Sequence, residues 1–577
     1  MLAQQLSFLH YDWAAFALAG LPEIEEVIEM TKPFSLWTAV LCFTLCFPVM
    51  ADDGEDNEAV RIEIEQLRES GRLSLGGIDV ASGSLLAEFY ERRGFSPAWS
   101  GAGKIQSLIE AIKATASDGL DPTDYHLEKI ERVNDQLENG RQLAPNERAA
   151  LDIGLTDSLI RLGYHQRFGK VDPNDLDPVW NFARELRGRD PAKTIQEAID
   201  AESLSDYLTT IFPRVELYQR LQAYLEEYRE IAAAGGWPQF PKGPTLKPGV
   251  ADERLPILAR RLAISGDLTS EAASAPVSIY ANALEAAVKN FQLRHGLDDD
   301  GVVGPATLHA LNVPVEDRVN QIRLNLERAR WVLDGLPDDF VVVNIAGFRA
   351  YLYRDRKPVW STRVVVGKTY HKTPVFRASM KYVVFNPTWT VPYSIATKEM
   401  LPKIKQDPNY LSSRNFDLKN RNGELIDPAS VDWSQVTRRN FGYTLVQRPG
   451  PSNALGEIKF IFPNQFSVYL HDTTSKSLFA RAERTFSHGC IRVDQPFDFA
   501  EVLLKQDGWS REMIEAERAS RKTKSVFLAQ PLPVLLLYWT AAVGVDGQIH
   551  FYEDVYERDQ KILSALDSPY QINIPES

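Results

Sequence analysis

The organisation of this 577-residue chain is decided by one stretch, Ser487-His488-Gly489-Cys490-Ile491-Arg492. Cys490 is the only cysteine outside an apolar N-terminal segment, and His471 lies 19 residues before it. A protonated thiol is a weak nucleophile, and a nearby base activates it by taking its proton. That spacing leaves room for a strand, a loop and a returning strand, so we expect His471 to meet the thiol across adjacent strands. The alternative is a buried and inert cysteine, because a lone cysteine beside a histidine is more often structural than catalytic.

From Phe340 onward the apolar residues follow the two-residue period of β-strands. The predicted strands lie at residues 341–345, 350–353, 362–367, 381–385, 443–447, 458–462 and 467–470. The apolar run 533–540 is too short for a membrane span and is flanked by prolines, so we predict a buried strand there. Residues 395–440 break the pattern, with a helix at 396–405, and we expect this insertion to cap the sheet near its active face. The sequence thus predicts a mainly-β domain at 339–560 with a helical and irregular capping insertion, and a tail at 561–577.

The residues before the sheet follow the 3.6-residue period of helices. A mostly helical scaffold domain is predicted at 81–235, after a polar tether at 52–80. The proline- and glycine-rich residues 236–250 predict a linker. A compact unit of three short helices follows at 251–316, and one further helix at 317–338 connects it to the sheet. The predicted fold class is therefore multidomain α+β.

The first 51 residues are interpreted as a misplaced start followed by an export signal. Residues 34–47 form an apolar run that is too short for a membrane span and typical of a signal-peptide core. Residues 49–51 after it resemble a cleavage site of small residues. Because the glutamates before Met30 do not fit a signal peptide, we expect translation to begin at Met30 and residues 1–29 to be an artefact of the gene start. The mature protein is then exported; the alternative is a retained membrane anchor.

Charge and ligand spacing exclude several classes of function. The net charge of −14 at pH 7 argues against a nucleic-acid partner, since nucleic acids are bound by basic patches. The acidic turn at 299–305 lacks the alternating oxygen ligands and the closing glutamate of a calcium loop. The nine histidines are scattered, whereas a metallopeptidase needs clustered ligands at short spacing. We therefore predict neither a metal ion nor another cofactor.

The unit at 251–316 resembles the small three-helix peptidoglycan-binding module. The resemblance rests on Phe291-Gln292 and on the run Asp300-Gly301-Val302-Val303-Gly304-Pro305-Ala306-Thr307-Leu308-His309-Ala310-Leu311. It implies a module that binds glycan, with a purely structural spacer as the alternative.

The C-terminal domain resembles the YkuD-type L,D-transpeptidase catalytic domain, and most closely the large YcbB-type branch of that family. The signature of the family is a histidine, a loop, then Ser/Thr-His-Gly-Cys and a nearby arginine, which here are His471, residues 487–490 and Arg492. Further resemblance to the large branch lies in residues 386–392, 394–402, 447–451, 453–456 and 469–473, and in the helical region that opens with Phe89-Tyr90 and Pro97-Ala98-Trp99. The resemblance covers nearly the whole mature chain.

The resemblance implies acyl transfer on peptidoglycan stem peptides. Cys490 is implied as the nucleophile that attacks the meso-diaminopimelate–D-Ala bond of a tetrapeptide donor, releases D-Ala and forms an acyl-thioester. The amine of a diaminopimelate on a neighbouring stem then resolves the thioester to a 3→3 cross-link. His471 is implied as the general base, its ring oriented by the backbone carbonyl of Asp472. The alternative role for Asp472 is a triad carboxylate.

The resemblance also implies the rest of the pocket and the setting of the reaction. Ser487, His488 and Gly489 are implied to line the oxyanion hole and the pocket, which Arg492 steadies. Gly489 leaves room for backbone N–H groups to approach a substrate oxyanion. The implied setting is the periplasm of a Gram-negative-type bacterium, peripheral to the membrane at most, in cell-wall biogenesis and the control of cell shape.

Two alternatives stay open from the sequence. One is an L,D-carboxypeptidase, or an enzyme that detaches envelope proteins, which resolves the same acyl-enzyme with water. The other is a non-catalytic wall-binding protein with a relict site.

Overall fold

The computed structural model describes residues 53–70, 73–75, 78–80, 82–100, 102–176, 180–182, 189–211, 215–333 and 335–569. The predicted export signal and the predicted translation start at Met30 lie outside the described residues. Among the helices that are described, none is long and apolar enough to cross a membrane.

The first domain is built from helices around one long buried helix. Its helices are Asp53–Ser70, Gly83–Arg92, Ala102–Ala114, Leu127–Glu138, Pro145–Phe168, Pro173–Leu176, Pro191–Asp200 and Leu204–Ile211, with a short strand pair at Leu73–Leu75 and Ile78–Val80. The next helix, Glu216–Ala233, packs instead on the helix Val315–Leu333, in the hydrophobic core shared with the C-terminal sheet. Asp152 on the long helix accepts hydrogen bonds from the backbone N–H groups of Ala98 at 2.8 Å and Trp99 at 2.9 Å. It also accepts one from the Tyr90 hydroxyl at 2.6 Å. These contacts satisfy a buried carboxylate and fix the helical region opened by Tyr90 against the long helix.

The helix at Asp53–Ser70 corrects the prediction of a tether at 52–80. Val60, Ile64 and Leu67 are at most 2% exposed and pack in the core of the helical domain. Their spacing of four and three residues places them on one helix face. Charged residues dominate the opposite face, and that composition is why this segment was predicted to be a tether.

The three-helix module begins earlier than predicted. Its helices are Leu255–Ile264, Asn282–Arg294 and Pro305–Leu311, with a short helical turn at Ser270–Ser274. Phe240 and Leu246 lie in its hydrophobic core at 2% exposure each, and Leu246 pairs with Val303 in a β-bridge. The prediction of a free linker at 236–250 is therefore wrong for these residues. Gln292 accepts a hydrogen bond from Gly301 N at 2.8 Å and donates to Val302 O at 3.0 Å, so it closes the acidic turn.

A buried helix at Val315–Leu333 joins the module to the sheet. The C-terminal helix Asp559–Asp567 packs on it, with Ile562 and Leu566 buried beside Leu324. The predicted tail at 561–577 is wrong for residues 561–567, because Ile562 and Leu566 are four residues apart and lie on one buried face of a helix.

The C-terminal domain is a nine-stranded sheet that closes on itself. Its strands are β1 (Phe340–Asn344), β2 (Arg349–Arg354), β3 (Lys357–Gly367), β4 (Phe376–Phe385), β5 (Ile458–Ile461), β6 (Leu470–His471), β7 (Thr485–Ser487), β8 (Ile491–Val493) and β9 (Lys524–Leu537). Their order is β7-β3-β8-β6-β5-β4-β9-β1-β2, and β2 also pairs with β3. Helices Pro496–Leu504 and Arg511–Ser520 follow β8, and the hairpin Ala541–Val543 with Ile549–Phe551 follows β9. The predicted buried strand at 533–540 is confirmed for the residues that belong to β9, since Val534, Leu535 and Leu536 are at most 1% exposed.

The capping insertion is confirmed and is larger than predicted. It has its own four-stranded sheet of Trp389–Thr390, Phe416–Lys419, Leu425–Ile426 and Thr444–Gln447, and helical segments at Tyr393–Ile395, Ala396–Met400 and Leu401–Gln406. A separate hydrophobic core runs from Val391 to Leu445, so the insertion folds around its own apolar residues. The segment Ala396–Met400 is a π-helix, a rare form that is frequent at functional sites.

Candidate active site

Two adjacent strands carry the predicted nucleophile and the predicted base. Strands β6 and β8 pair in parallel, with Leu470 opposite Ile491 and His471 opposite Arg492. Cys490 is the residue directly before β8, so the pairing places it beside the strand that ends in His471. The spacing of the two residues predicts this arrangement, and the structure shows it.

A tight turn at residues 487–490 holds the cysteine. The Ser487 hydroxyl donates to Cys490 O at 2.5 Å and accepts a hydrogen bond from Gly489 N at 3.0 Å. Gly489 has a φ of 113°, a conformation that side chains disfavour, so glycine is required there. The Gly489 N–H is thus engaged by the Ser487 hydroxyl within the turn. The role of Ser487 is to shape the turn.

Thr373 orients the peptide group between Gly489 and Cys490. Its hydroxyl donates to Gly489 O at 2.9 Å and accepts from Gly367 N at 2.9 Å. In a trans peptide the C=O and the next N–H point in opposite directions, so this contact aims the Cys490 N–H away from Thr373. The Tyr556 hydroxyl braces the arrangement, because it donates to Gly367 O at 2.5 Å and accepts from Thr373 N at 3.2 Å. Thr373 is therefore a positioning residue for the Cys490 amide.

Replacement of Thr373 by valine is expected to lower kcat by about tenfold or more while KM stays nearly unchanged. Valine keeps the shape of threonine and removes the hydroxyl that orients the Cys490 amide. Steady-state kinetics of D-Ala release measure the effect, with Thr373→Ser as the matched control, since serine restores the hydroxyl. Equal loss in both variants, or a change confined to KM, would contradict the positioning role.

His471 is buried and neutral at pH 7. Burial and the neighbouring Arg492 charge lower its pKa to about 4, against the smaller opposing effects of Asp472 and the Leu455 carbonyl. Its Nδ1 donates to the Asp472 carbonyl oxygen at 2.5 Å, so the neutral ring carries its proton on Nδ1 and leaves Nε2 as the basic nitrogen. A neutral imidazole held in this tautomer is able to accept a proton from a thiol.

The Asp472 carboxylate does not form a triad with this ring. It accepts hydrogen bonds from Lys476 Nζ at 2.6 Å and Glu457 N at 2.9 Å. Gly456 packs so closely that an added Cβ would lie 2.2 Å from Asp472 Oδ2. Asp472 therefore orients His471 through its backbone, as the family resemblance implies.

The Cys490 thiol lies in a site that both suppresses and favours its ionisation. Burial raises the pKa of Cys490, while the backbone N–H and hydroxyl of Tyr469 and the charges of Arg492 and Lys459 oppose the rise. The thiol donates to Ser467 O at 3.7 Å, and Ser467 has a φ of 55°, a conformation that non-glycine residues seldom adopt. A protonated resting thiol with positive charge around it needs a base at the moment of attack.

Lys459 and Tyr469, like Thr373, are residues of the site that the sequence analysis missed. Lys459 on β5 lies opposite His471 in the strand register, and its Nζ is 5.7 Å from the centroid of the Tyr469 ring. The Tyr469 and His471 rings meet edge to face at 5.6 Å. The sequence does show a lysine inside the predicted apolar strand 458–462. That this lysine faces His471 follows only from the strand register, which the sequence does not specify.

The cap reaches the site through Glu399. Its Oε1 lies 2.6 Å from His488 Nε2, and the His371 ring lies 5.2 Å from the His488 ring. His488 therefore links the catalytic turn to the π-helix of the cap through its side chain. Arg492 is mostly buried, and burial lowers its pKa while the Cys490 charge raises it. Within the described part of the chain, no cluster of three or more His, Cys, Asp or Glu residues could hold a metal ion.

Three family models match this chain. Residues 84–225 match "Scaffold domain", residues 252–311 match "Putative peptidoglycan binding domain", and residues 338–512 match "L,D-transpeptidase catalytic domain". The chain therefore contains, in this order, regions that match a scaffold domain, a peptidoglycan-binding domain and an L,D-transpeptidase catalytic domain. The three matches agree with the order of the helical domain, the three-helix module and the closed sheet.

One curated protein and two solved structures are similar to parts of this chain. A protein of Haemophilus influenzae named "Putative L,D-transpeptidase" is 36% identical over 251 residues, which are 43% of this chain and 50% of that protein. The chain thus spans about half the length of this curated relative. A solved L,D-transpeptidase from Xylanimonas cellulosilytica shares 16% identity at a TM-score of 0.16, covering 52% of this chain and 99% of that one. One from Stackebrandtia nassauensis shares 15% at 0.20, covering 51% and 94%. Neither of these two likenesses carries an argument at such values.

Proposed function

We propose that this protein is a peptidoglycan L,D-transpeptidase that forms 3→3 cross-links through an acyl-thioester on Cys490. The observation that carries the proposal is the parallel pairing of β6 with β8, which sets His471 beside the turn that holds Cys490. The donor is a tetrapeptide stem, and the acceptor is the amine of a diaminopimelate on a neighbouring stem. The acting site is outside the cytoplasm, in a periplasm, because the polymer lies there.

In the first half-reaction, Cys490 Sγ attacks the carbonyl carbon of the diaminopimelate–D-Ala bond. His471 Nε2 takes the thiol proton as the new C–S bond forms, because the resting thiol is protonated and the resting imidazole is neutral. The oxyanion accepts a hydrogen bond from the Cys490 N–H, which Thr373 orients. Collapse of the intermediate breaks the C–N bond, and the proton on His471 passes to the departing amine of D-Ala.

In the second half-reaction, the acceptor amine attacks the thioester. His471 takes a proton from the attacking nitrogen, and the C–S bond breaks to release the thiolate. The buried Arg492 charge stabilises that thiolate before it regains a proton from His471. The new bond joins the third residues of two stems, and the enzyme returns to its starting protonation state.

Water in place of the amine would make the same site an L,D-carboxypeptidase. The two outcomes share every step up to the thioester, so the residues around Cys490 support both equally. The choice depends on the acceptor that the cap admits, and Glu399 places a carboxylate of the cap at the catalytic turn. A carboxylate there attracts a cationic acceptor, whose nitrogen loses one proton to solvent before it attacks the thioester.

Product analysis separates these outcomes. The mature protein is incubated with a disaccharide-tetrapeptide, and the products are resolved by mass spectrometry. We expect a dimer that has lost one D-Ala. Loss of D-Ala without a dimer would show hydrolysis, and no product at all would contradict both activities and favour a wall-binding protein.

A further inference from the structure

A second cleft lies where the three-helix module meets the closed sheet. A cavity of about 370 Å³ is bounded by module residues 293–299, by strands β2 and β3, by the loop 479–484 and by the hairpin after β9. None of its lining residues belongs to the catalytic turn. Its arginines are not used by the mechanism above.

Four arginines line this cleft, and three of them, Arg349, Arg363 and Arg484, lie close enough for their charges to interact. Arg349 on β2 lies directly opposite Arg363 on β3 in the strand register. Arg484 joins them from the loop before β7, where its carbonyl oxygen accepts a hydrogen bond from Val366 N at 2.9 Å. Like charges directly opposite each other destabilise a sheet, so this arrangement is costly unless an anion compensates it.

The protein itself compensates only part of this charge. Arg363 pairs with Asp494 at 2.8 Å. Among the described residues, neither Arg349 nor Arg484 has a carboxylate within salt-bridge distance, and Arg484 Nε is buried without a hydrogen-bond partner. Burial, and after it the charges of Arg363 and Arg349, lower the pKa of Arg484 to about 10, against smaller opposing effects of Asp298 and Asp494.

The acidic residues of the cleft are engaged elsewhere or stand at its edge. Asp546 Oδ2 lies 2.9 Å from His550 Nε2. Asp298 and Asp299 are exposed on the module side. The inner wall is therefore positive and the outer edge is mixed, with Phe479 and Tyr552 as aromatic walls.

We propose that this cleft binds a free carboxylate of a peptidoglycan stem peptide. The proposal rests on the proposed function and adds a second contact for the same polymer. A guanidinium pairs with a carboxylate through two parallel hydrogen bonds, and Arg349 and Arg484 both have donors to spare. The cleft joins the domain matched to peptidoglycan binding with the catalytic strands. Arg484 is six residues before Cys490, at most about 20 Å of extended chain, so one polymer can occupy both places.

Binding measurements on an inactive background test the proposal. The Cys490→Ser protein, which binds substrate without consuming it, is titrated with a disaccharide-tetrapeptide by calorimetry at physiological salt. Arg349→Gln and Arg484→Gln are expected to raise Kd by about tenfold or more, since each removes a charge-assisted pair. Arg356→Gln is the matched control, because Arg356 is exposed and pairs with Asp338 away from the cleft.

A second ligand keeps the test independent of variant stability. A disaccharide-tetrapeptide with amidated carboxylates should bind the Arg356→Gln protein as weakly as the free acid binds the Arg484→Gln protein. The amidated ligand should bind the Arg484→Gln protein with no further loss of affinity. Unchanged Kd values in the arginine variants, or full displacement by an equal concentration of inorganic phosphate, would overturn the carboxylate site. Failure of the proposed function is seen separately, as absence of D-Ala release by the protein with Cys490 intact.

Discussion

Replacement of Cys490 by serine abolishes D-Ala release, with a loss of more than about 10³-fold, and leaves the fold intact. Serine has nearly the size of cysteine, and its hydroxyl is far less acidic than a thiol, so the imidazole of His471 cannot activate it to the same degree. Because a nucleophile and its base act together, removal of the nucleophile alone loses the whole rate enhancement that the pair provides. The measurement is the rate of D-Ala release, together with the thermal unfolding temperature.

The control for this change is Ser475→Ala, in the exposed loop that follows β6. We expect this variant to keep the rate of the unchanged protein. Retained activity in Cys490→Ser with an unchanged unfolding temperature would show that the thiol is not the nucleophile. The alternative of an inert buried cysteine would then be correct.

Replacement of His471 by glutamine lowers the rate by about 10²- to 10⁴-fold at pH 7, the range expected for loss of a general base. The pH dependence gives a sharper test. The base works only when it is unprotonated, and its pKa is lowered to about 4 by burial and by Arg492. The rate of the unchanged protein should therefore fall only as pH drops towards about 4, well below the ordinary range of histidine.

The variant Arg492→Gln tests whether the charge of Arg492 sets the pH at which the rate falls, which is the acid limb of the pH–rate profile. Removing the positive charge lets His471 hold its proton at higher pH, so the acid limb should move upwards in pH. His309→Gln, in the three-helix module, is the matched control and should change neither the rate nor the limb. An acid limb near pH 6.5 in the unchanged protein, or an unchanged limb in Arg492→Gln, would contradict the assignment of His471.

The sequence was sufficient for features that depend on local pattern. The two-residue period predicted the strands of the closed sheet, and the break at 395–440 predicted the cap. The spacing between His471 and Cys490 predicted two adjacent strands, because a strand, a loop and a return fit between them. These features depend on residues that are close in the chain.

Features that depend on register or on distant packing were not predictable. Lys459 and the arginine pair of β2 and β3 acquire their meaning from the residue opposite, which the sequence does not state. The helices at Asp53–Ser70 and Asp559–Asp567 contain few apolar residues. Their packing becomes evident only from the residues they contact, which lie in the helical domain for the first and on the buried connecting helix for the second. The hydrogen bond from the Gly489 N–H to the Ser487 hydroxyl likewise depends on the conformation of the turn.

The central claim is that the stem peptide becomes bound to Cys490 as a thioester. The protein is mixed with a disaccharide-tetrapeptide, quenched in acid within the first turnovers and examined by intact-mass and peptide mass spectrometry. We predict a mass increase equal to the donor minus D-Ala, located on the peptide that contains Cys490 and absent from the Cys490→Ser variant. Release of D-Ala without such an adduct on the thiol, or an adduct on another residue, would contradict the mechanism.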